Sequence, residues 1–142
     1  MSRGGTAPLL MGRGRGAAFG DLDGDGDVDV VAVENSGHVL LLENVAARSH
    51  WIGLRVLERS GGPAEGARLA LDCAGHVRYR WVESSGSYCA SSDPGVSVGL
   101  GDAHDPVTLT VRWVDGGQER FGPLACDVWH VLKRGTGAAA GQ

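Results

Sequence analysis

The sequence predicts an all-β chain, and three observations point to that class. Glycine is abundant, at 24 of 142 residues, while aromatics make up only 6%. Most short apolar runs end in Gly, Asp, Asn or Ser, the residues that close strands and make turns. Period-2 alternation recurs along the chain, and no segment sustains a helical period. Hydrophobic residues are 42% of the total, enough for a core, and the length suits one medium domain or a small domain with an appendage.

Residues 1–16 read as a flexible lead-in. Their apolar run, Ala7 to Met11, is interrupted by Pro8 and is too short for the core of an export signal. The Arg-Gly alternation up to Gly16 is better explained by that lead-in than by RNA binding. No apolar stretch has the length of a membrane span.

The next stretch, Asp21-Leu22-Asp23-Gly24-Asp25-Gly26-Asp27-Val28-Asp29, sets a carboxylate at every second position. Such crowding is unfavourable unless a cation absorbs the charge, and Ca²⁺ takes six to eight oxygens at roughly 2.3–2.6 Å from flexible acidic loops. The side chains of Asp21, Asp23, Asp25 and Asp29 are the expected ligands, with Asp27 offering its backbone carbonyl. Gly24 and Gly26 supply the positive φ that lets a chain wrap an ion. An EF-hand would place a bidentate Glu at its twelfth position. Counting from Asp21, that position is Ala32, and the loop runs into the β-branched Val28 to Val33 rather than a helix. Asn35-Ser36-Gly37 is then a turn and His38 to Glu43 a return strand, so the loop precedes a β-hairpin.

Ala18-Phe19-Gly20 through Asp29-Val30 resembles the FG-GAP/VCBS repeat, whose acidic loop joins two strands of a β-propeller blade. Only one copy is present, whereas a propeller closes with about four to eight blades. Either the chain is part of something longer or the hairpin of residues 17–44 docks onto the domain that follows; the first is the expectation.

Residues 45–49 read as a linker, and from His50 alternation marks one strand after another. Ile52, Leu54 and Val56 alternate with Gly53 and Arg55, and Leu69 and Leu71 with Arg68 and Asp72. Val77, Tyr79 and Trp81 share a face opposite His76, Arg78 and Arg80. Val96, Val98 and Leu100 follow, then Val107, Leu109, Val111 and Trp113, then a last strand over Asp127 to Lys133. Gly61-Gly62-Pro63, Ala74-Gly75, Asp93-Pro94-Gly95 and Asp115-Gly116-Gly117 are the turns between them. Six or seven short strands over residues 50–134 suggest a small antiparallel β-sandwich or barrel, and residues 135–142 a disordered tail.

Residues from about Ser49 to Lys133 resemble the ASPIC/UnbV domain, which follows VCBS repeats in cartilage acidic protein-like proteins. His50-Trp51-Ile52, Gly66-Ala67-Arg68-Leu69, Gly86-Ser87-Tyr88, Asp93-Pro94, Gly99-Leu100-Gly101-Asp102 and Val111-Arg112-Trp113 with Gly116 carry the likeness. Cys89-Ala90-Ser91-Ser92 departs from the usual Ser-Gln-Asn-type stretch before the Asp-Pro, and Trp113-Val114-Asp115-Gly116 from the frequent Trp-Pro-Ser-Gly. The resemblance implies an exported, extracellular or cell-surface protein and brings no catalytic residue with it.

Several other motifs read as structural. Gly95-Val96-Ser97-Val98-Gly99 has the spacing of a nucleophile elbow, but no helix follows and the serine lies inside a strand. His38, His50, His76, His104 and His130 lack metal-ligand spacing; His50 beside Trp51 is the most interesting, as a packing or capping residue. Arg78, Arg80 and Arg112 read as a solvated strip rather than a carboxylate or sulfate site, and Trp51, Trp81, Trp113 and Trp129 as core. Cys73, Cys89 and Cys126 are odd in number and widely spaced, against a disulfide framework or zinc site; small buried hydrophobes is the preferred reading. The net charge of −4 is accounted for by the loop, so nucleic acid is not an expected partner.

The expectation is a calcium-binding, non-catalytic adhesion or interaction module with a protein or glycan partner, and self-association through the exposed hairpin edge. Its rival is an accessory carbohydrate- or polymer-binding domain of an extracellular enzyme.

Overall fold

The computed structural model describes residues 13–35, 37–45 and 49–140. All regular structure among them is β. Strands β1 (Gly14–Gly20), β2 (Asp29–Glu34) and β3 (Val39–Leu42) form an antiparallel meander in that order. The acidic loop therefore joins two paired strands, with Gly20 opposite Asp29 at its mouth. Residues 14–16, expected in the flexible lead-in, belong to β1; residues 1–12 and 46–48 of the lead-in and linker lie outside the described residues.

Beyond the linker come β4 (His50–Leu57), β5 (Arg68–Cys73), β6 (His76–Trp81), β7 (Ser85–Ser87), β8 (Ala90–Ser91) and β9 (Val96–Gly101). They are followed by β10 (Val107–Arg112), β11 (Gln118–Leu124), β12 (Trp129–Lys133) and β13 (Ala138–Ala139). A five-stranded sheet of order β13-β11-β10-β5-β6 and a three-stranded sheet of order β12-β4-β9 share one core. The core comprises the inward positions that alternation predicts. Ile52, Leu54 and Val56 meet Val98 and Leu100 from one sheet, and Leu69, Leu71, Val107, Leu109 and Val111 from the other. The result is a β-sandwich, not a closed barrel, and β12 pairs with β4 in parallel rather than antiparallel fashion.

Four further expectations need correction. The tail from Gly135 is ordered as far as Ala140: the Glu119 carboxylate accepts the amides of Gly135 and Gly137, and β13 then adds to β11. Trp81, with Val77 and Tyr79, faces solvent, because register places Arg80 and Arg78 on the side of Leu69 and Leu71. A five-stranded sheet facing a three-stranded one leaves its edge strand uncovered, so β6 has no buried face to offer. Arg112, paired with Arg68, consequently lies on the face opposite Arg78 and Arg80, and the proposed strip of the three does not exist. Lastly, only Cys73 is buried; Cys126 is half-buried and Cys89 exposed.

Candidate metal centre

The loop is built on its own carboxylates. Asp21 Oδ1 accepts the amides of Gly24 at 2.7 Å and Asp25 at 3.1 Å, and its Oδ2 accepts that of Gly26 at 2.9 Å. Asp23 bonds the Asp25 amide and Asp25 the Asp27 amide, each two residues on, the Asx-turn pattern that Asp favours. Asp29 opens β2 and is 2% exposed. Its Oδ2 accepts the Leu22 amide at 2.9 Å and its Oδ1 the Asn44 amide at 2.8 Å, tying the start of the loop to the chain beyond β3.

This folding brings ligand oxygens of Asp21, Asp23 and Asp29 within 4.8 Å of one another. The carboxylates of Asp25 and Asp27 lie outside that group. Burial pushes the Asp21 carboxyl up, but the bonds from Trp129 and from the Gly26, Gly24 and Asp25 amides outweigh it and hold the group below the ordinary 3.8. The donors are all oxygen and all acidic, and one is almost wholly removed from water. That set fits a hard cation such as Ca²⁺ or Mg²⁺ and offers nothing to a soft one.

The loop rests on the sandwich. The Trp129 indole N–H donates to Asp21 Oδ2 at 2.8 Å, and the Trp51 ring lies against Gly26. The two indoles meet edge to face with centroids 6.1 Å apart. Trp129 can lie flat on β4 because residue 53 is glycine: a Cβ there would stand 2.3 Å from the indole. Ser97 on β9 donates to the Gly26 carbonyl at 2.7 Å, from within the strand that the alternation predicted. At the other end of the loop, the Asp93 amide donates to the Phe19 carbonyl at 2.9 Å, while the Asp93 carboxylate is gripped by Arg55. The meander thus docks on the domain that follows.

Beside the loop, an open depression is lined by Gly24, Asp25, His50, Trp51, Asp102 and Asp127. His50 Nδ1 lies 2.7 Å from Asp127 Oδ2, and its ring is 5.7 Å from that of His104. The His50 contact and the Trp51 amide hold the Asp127 carboxyl below the ordinary range.

Sequence reasoning missed Trp51, Trp129 and Ser97 as the platform of the loop. The one usable signal was Gly53 inside a strand, since a glycine there marks the close approach of a large group.

A family model described as ASPIC and UnbV matches residues 58–139, which include β5 to β13 and leave the acidic loop outside. No curated protein matches the chain. With more than half of its length inside that match, this chain belongs to the ASPIC and UnbV family.

Proposed function

We propose that this chain is a calcium-binding, non-catalytic interaction module of an exported protein, its β1–β3 meander an FG-GAP/VCBS-like unit. The observation that carries the reading is the convergence of Asp21, Asp23 and Asp29, one of them buried, at the junction with the sandwich. Those three residues would hold the ion, with Asp25 and the Asp27 carbonyl completing its shell. Bound there, Ca²⁺ neutralises the carboxylates and fixes the loop against Trp51 and Trp129. Its role is structural.

The test is a thermal melt with calcium, with magnesium and with chelator. With free ion at a hundred times Kd, binding adds about 2.7 kcal/mol, a rise of roughly 10 °C for a chain of this size. Asp23→Ala and Asp29→Asn should abolish the calcium response. A melting temperature indifferent to calcium removes the ion from the reading. The second reading, an accessory domain that holds a polysaccharide, is favoured by one observation, the exposure of Tyr79 and Trp81 on a sheet face.

A further inference from the structure

The outer face of the five-stranded sheet carries two cross-strand rows. In one, Trp81 stands beside Arg68, Arg68 beside Arg112, and Arg112 beside Gln118. In the next, Tyr79 stands beside Ala70, Thr110 and Arg120. Tyr79 is 64% exposed and Trp81 51%, and all three arginines are exposed. Arg68 and Arg112 are direct cross-strand partners, an arrangement that destabilises a sheet when the charges are alike. Among the described residues, no carboxylate pairs with Arg68, Arg112 or Arg120. The acid within these rows' strands on this face, Asp72, is turned into the β5–β6 turn, where it accepts the Gly75 amide.

Three unneutralised guanidinium groups and two exposed rings on one flat face define the chemistry of what covers them. The planar fork of arginine matches a carboxylate in bidentate fashion. Indole and phenol rings that lie open to water offer flat apolar surface with a polar handle, suited to the C–H face of a sugar ring. Neighbouring strands are about 4.8 Å apart, so Trp81 and Arg112 are separated by about 10 Å, a span for an extended polymer rather than a single small acid. Nucleic acid fits less well: its affinity grows with the number of phosphates neutralised, and a chain of net charge −4 offers three cations here.

We propose that this face binds a carboxylated polysaccharide, with Trp81 and Tyr79 stacked on sugar rings and Arg68, Arg112 and Arg120 holding uronate carboxylates. The proposal rests on the interaction-module reading and gives that module its partner.

The experiment titrates the full chain, with calcium and with chelator, against β-1,4-polyglucuronate oligomers, following tryptophan fluorescence and calorimetry. Neutral cello-oligosaccharides of equal length, dextran sulfate, which is anionic but carries no carboxylate, and a single-stranded oligonucleotide are the comparisons. Polyglucuronate should bind, and each comparison at least tenfold more weakly. Trp81→Ala and the pair Arg68→Gln with Arg112→Gln should each weaken binding at least tenfold without lowering the melting temperature, while Arg78→Gln, on the other face, leaves binding unchanged. Failure of polyglucuronate to bind, equal or tighter binding of any comparison, or indifference to the Trp81 and arginine changes overturns the proposal. Calcium-dependent melting without polyglucuronate binding removes this proposal alone. Binding with calcium-indifferent melting removes the ion and leaves the face standing.

Discussion

Gly26 of the acidic loop lies so close to Trp51 of the sandwich that a Cβ on the glycine would stand 2.1 Å from the indole Cε2. Gly26 also has φ of +95°, whereas Gly24, at +81°, has nothing within 4 Å of its Cβ position. The two positions therefore separate backbone strain from contact. Gly24→Ala should cost about 1 kcal/mol, the left-handed penalty alone. Gly26→Ala adds overpacking against the ring and should cost about 3 kcal/mol. Urea unfolding followed by tryptophan fluorescence gives both numbers. Equal costs would mean that the loop does not press on Trp51.

The Asp127 carboxyl, held low by His50 and the Trp51 amide, gives the fold an acid limit. Its proton affinity is weaker folded than unfolded, so the unfolded chain binds more protons as pH drops. The stabilisation is complete above the ordinary value of 3.8 and disappears as pH falls through the lower folded value. Carboxyl chemical shifts should place the Asp127 midpoint below 3.8, and His50→Phe should move it upward. A midpoint unmoved by that change would show that His50 does not set it.

Thiol chemistry should separate the three cysteines. Cys89 is exposed and reacts first with iodoacetamide. Burial, with Cys73, Asp127 and Asp105 nearby, pushes the Cys126 thiol up, so its thiolate fraction at neutral pH is smaller and alkylation slower. Cys73 is buried and donates to the Asp105 carbonyl, as does Cys126, and should react only on unfolding. Peptide mapping over time checks the order, and early labelling of Cys73 would contradict the packing.

Self-association has a specific seat in the meander. One edge, β1, is covered by the segment around Tyr88 to Asp93, with the Ser92 hydroxyl accepting the Phe19 amide. The other edge, β3, exposes Val39 and Leu41. Unpaired edges of this kind pair with one another. Light scattering should show dimers for the native chain and monomers for Leu41→Lys. A native monomer removes the expectation.

Much of this protein was legible without coordinates. Alternation located β4, β5, β9 and β10 and their inward residues, because a strand with one buried face must repeat every second residue. The strict spacing of Asp21 to Asp29 marked the loop, because so many carboxylates in one turn demand an arrangement of their own. The same alternation misjudged β6: periodicity says that two faces differ, not which one meets a neighbour, and the overhang of a five-stranded sheet put Trp81 in water. Distance along the chain hid the rest. Asp21 and Trp129 are 108 residues apart, and Gly26 and Ser97 are 71 apart, so only the folded sandwich brings the platform beneath the loop. Local sequence set the strands and the acidic turn, since those depend on neighbours a few residues away. Tertiary structure alone decided what the loop rests on and which arginines face outward together, since sheet register and packing join positions that share no local pattern.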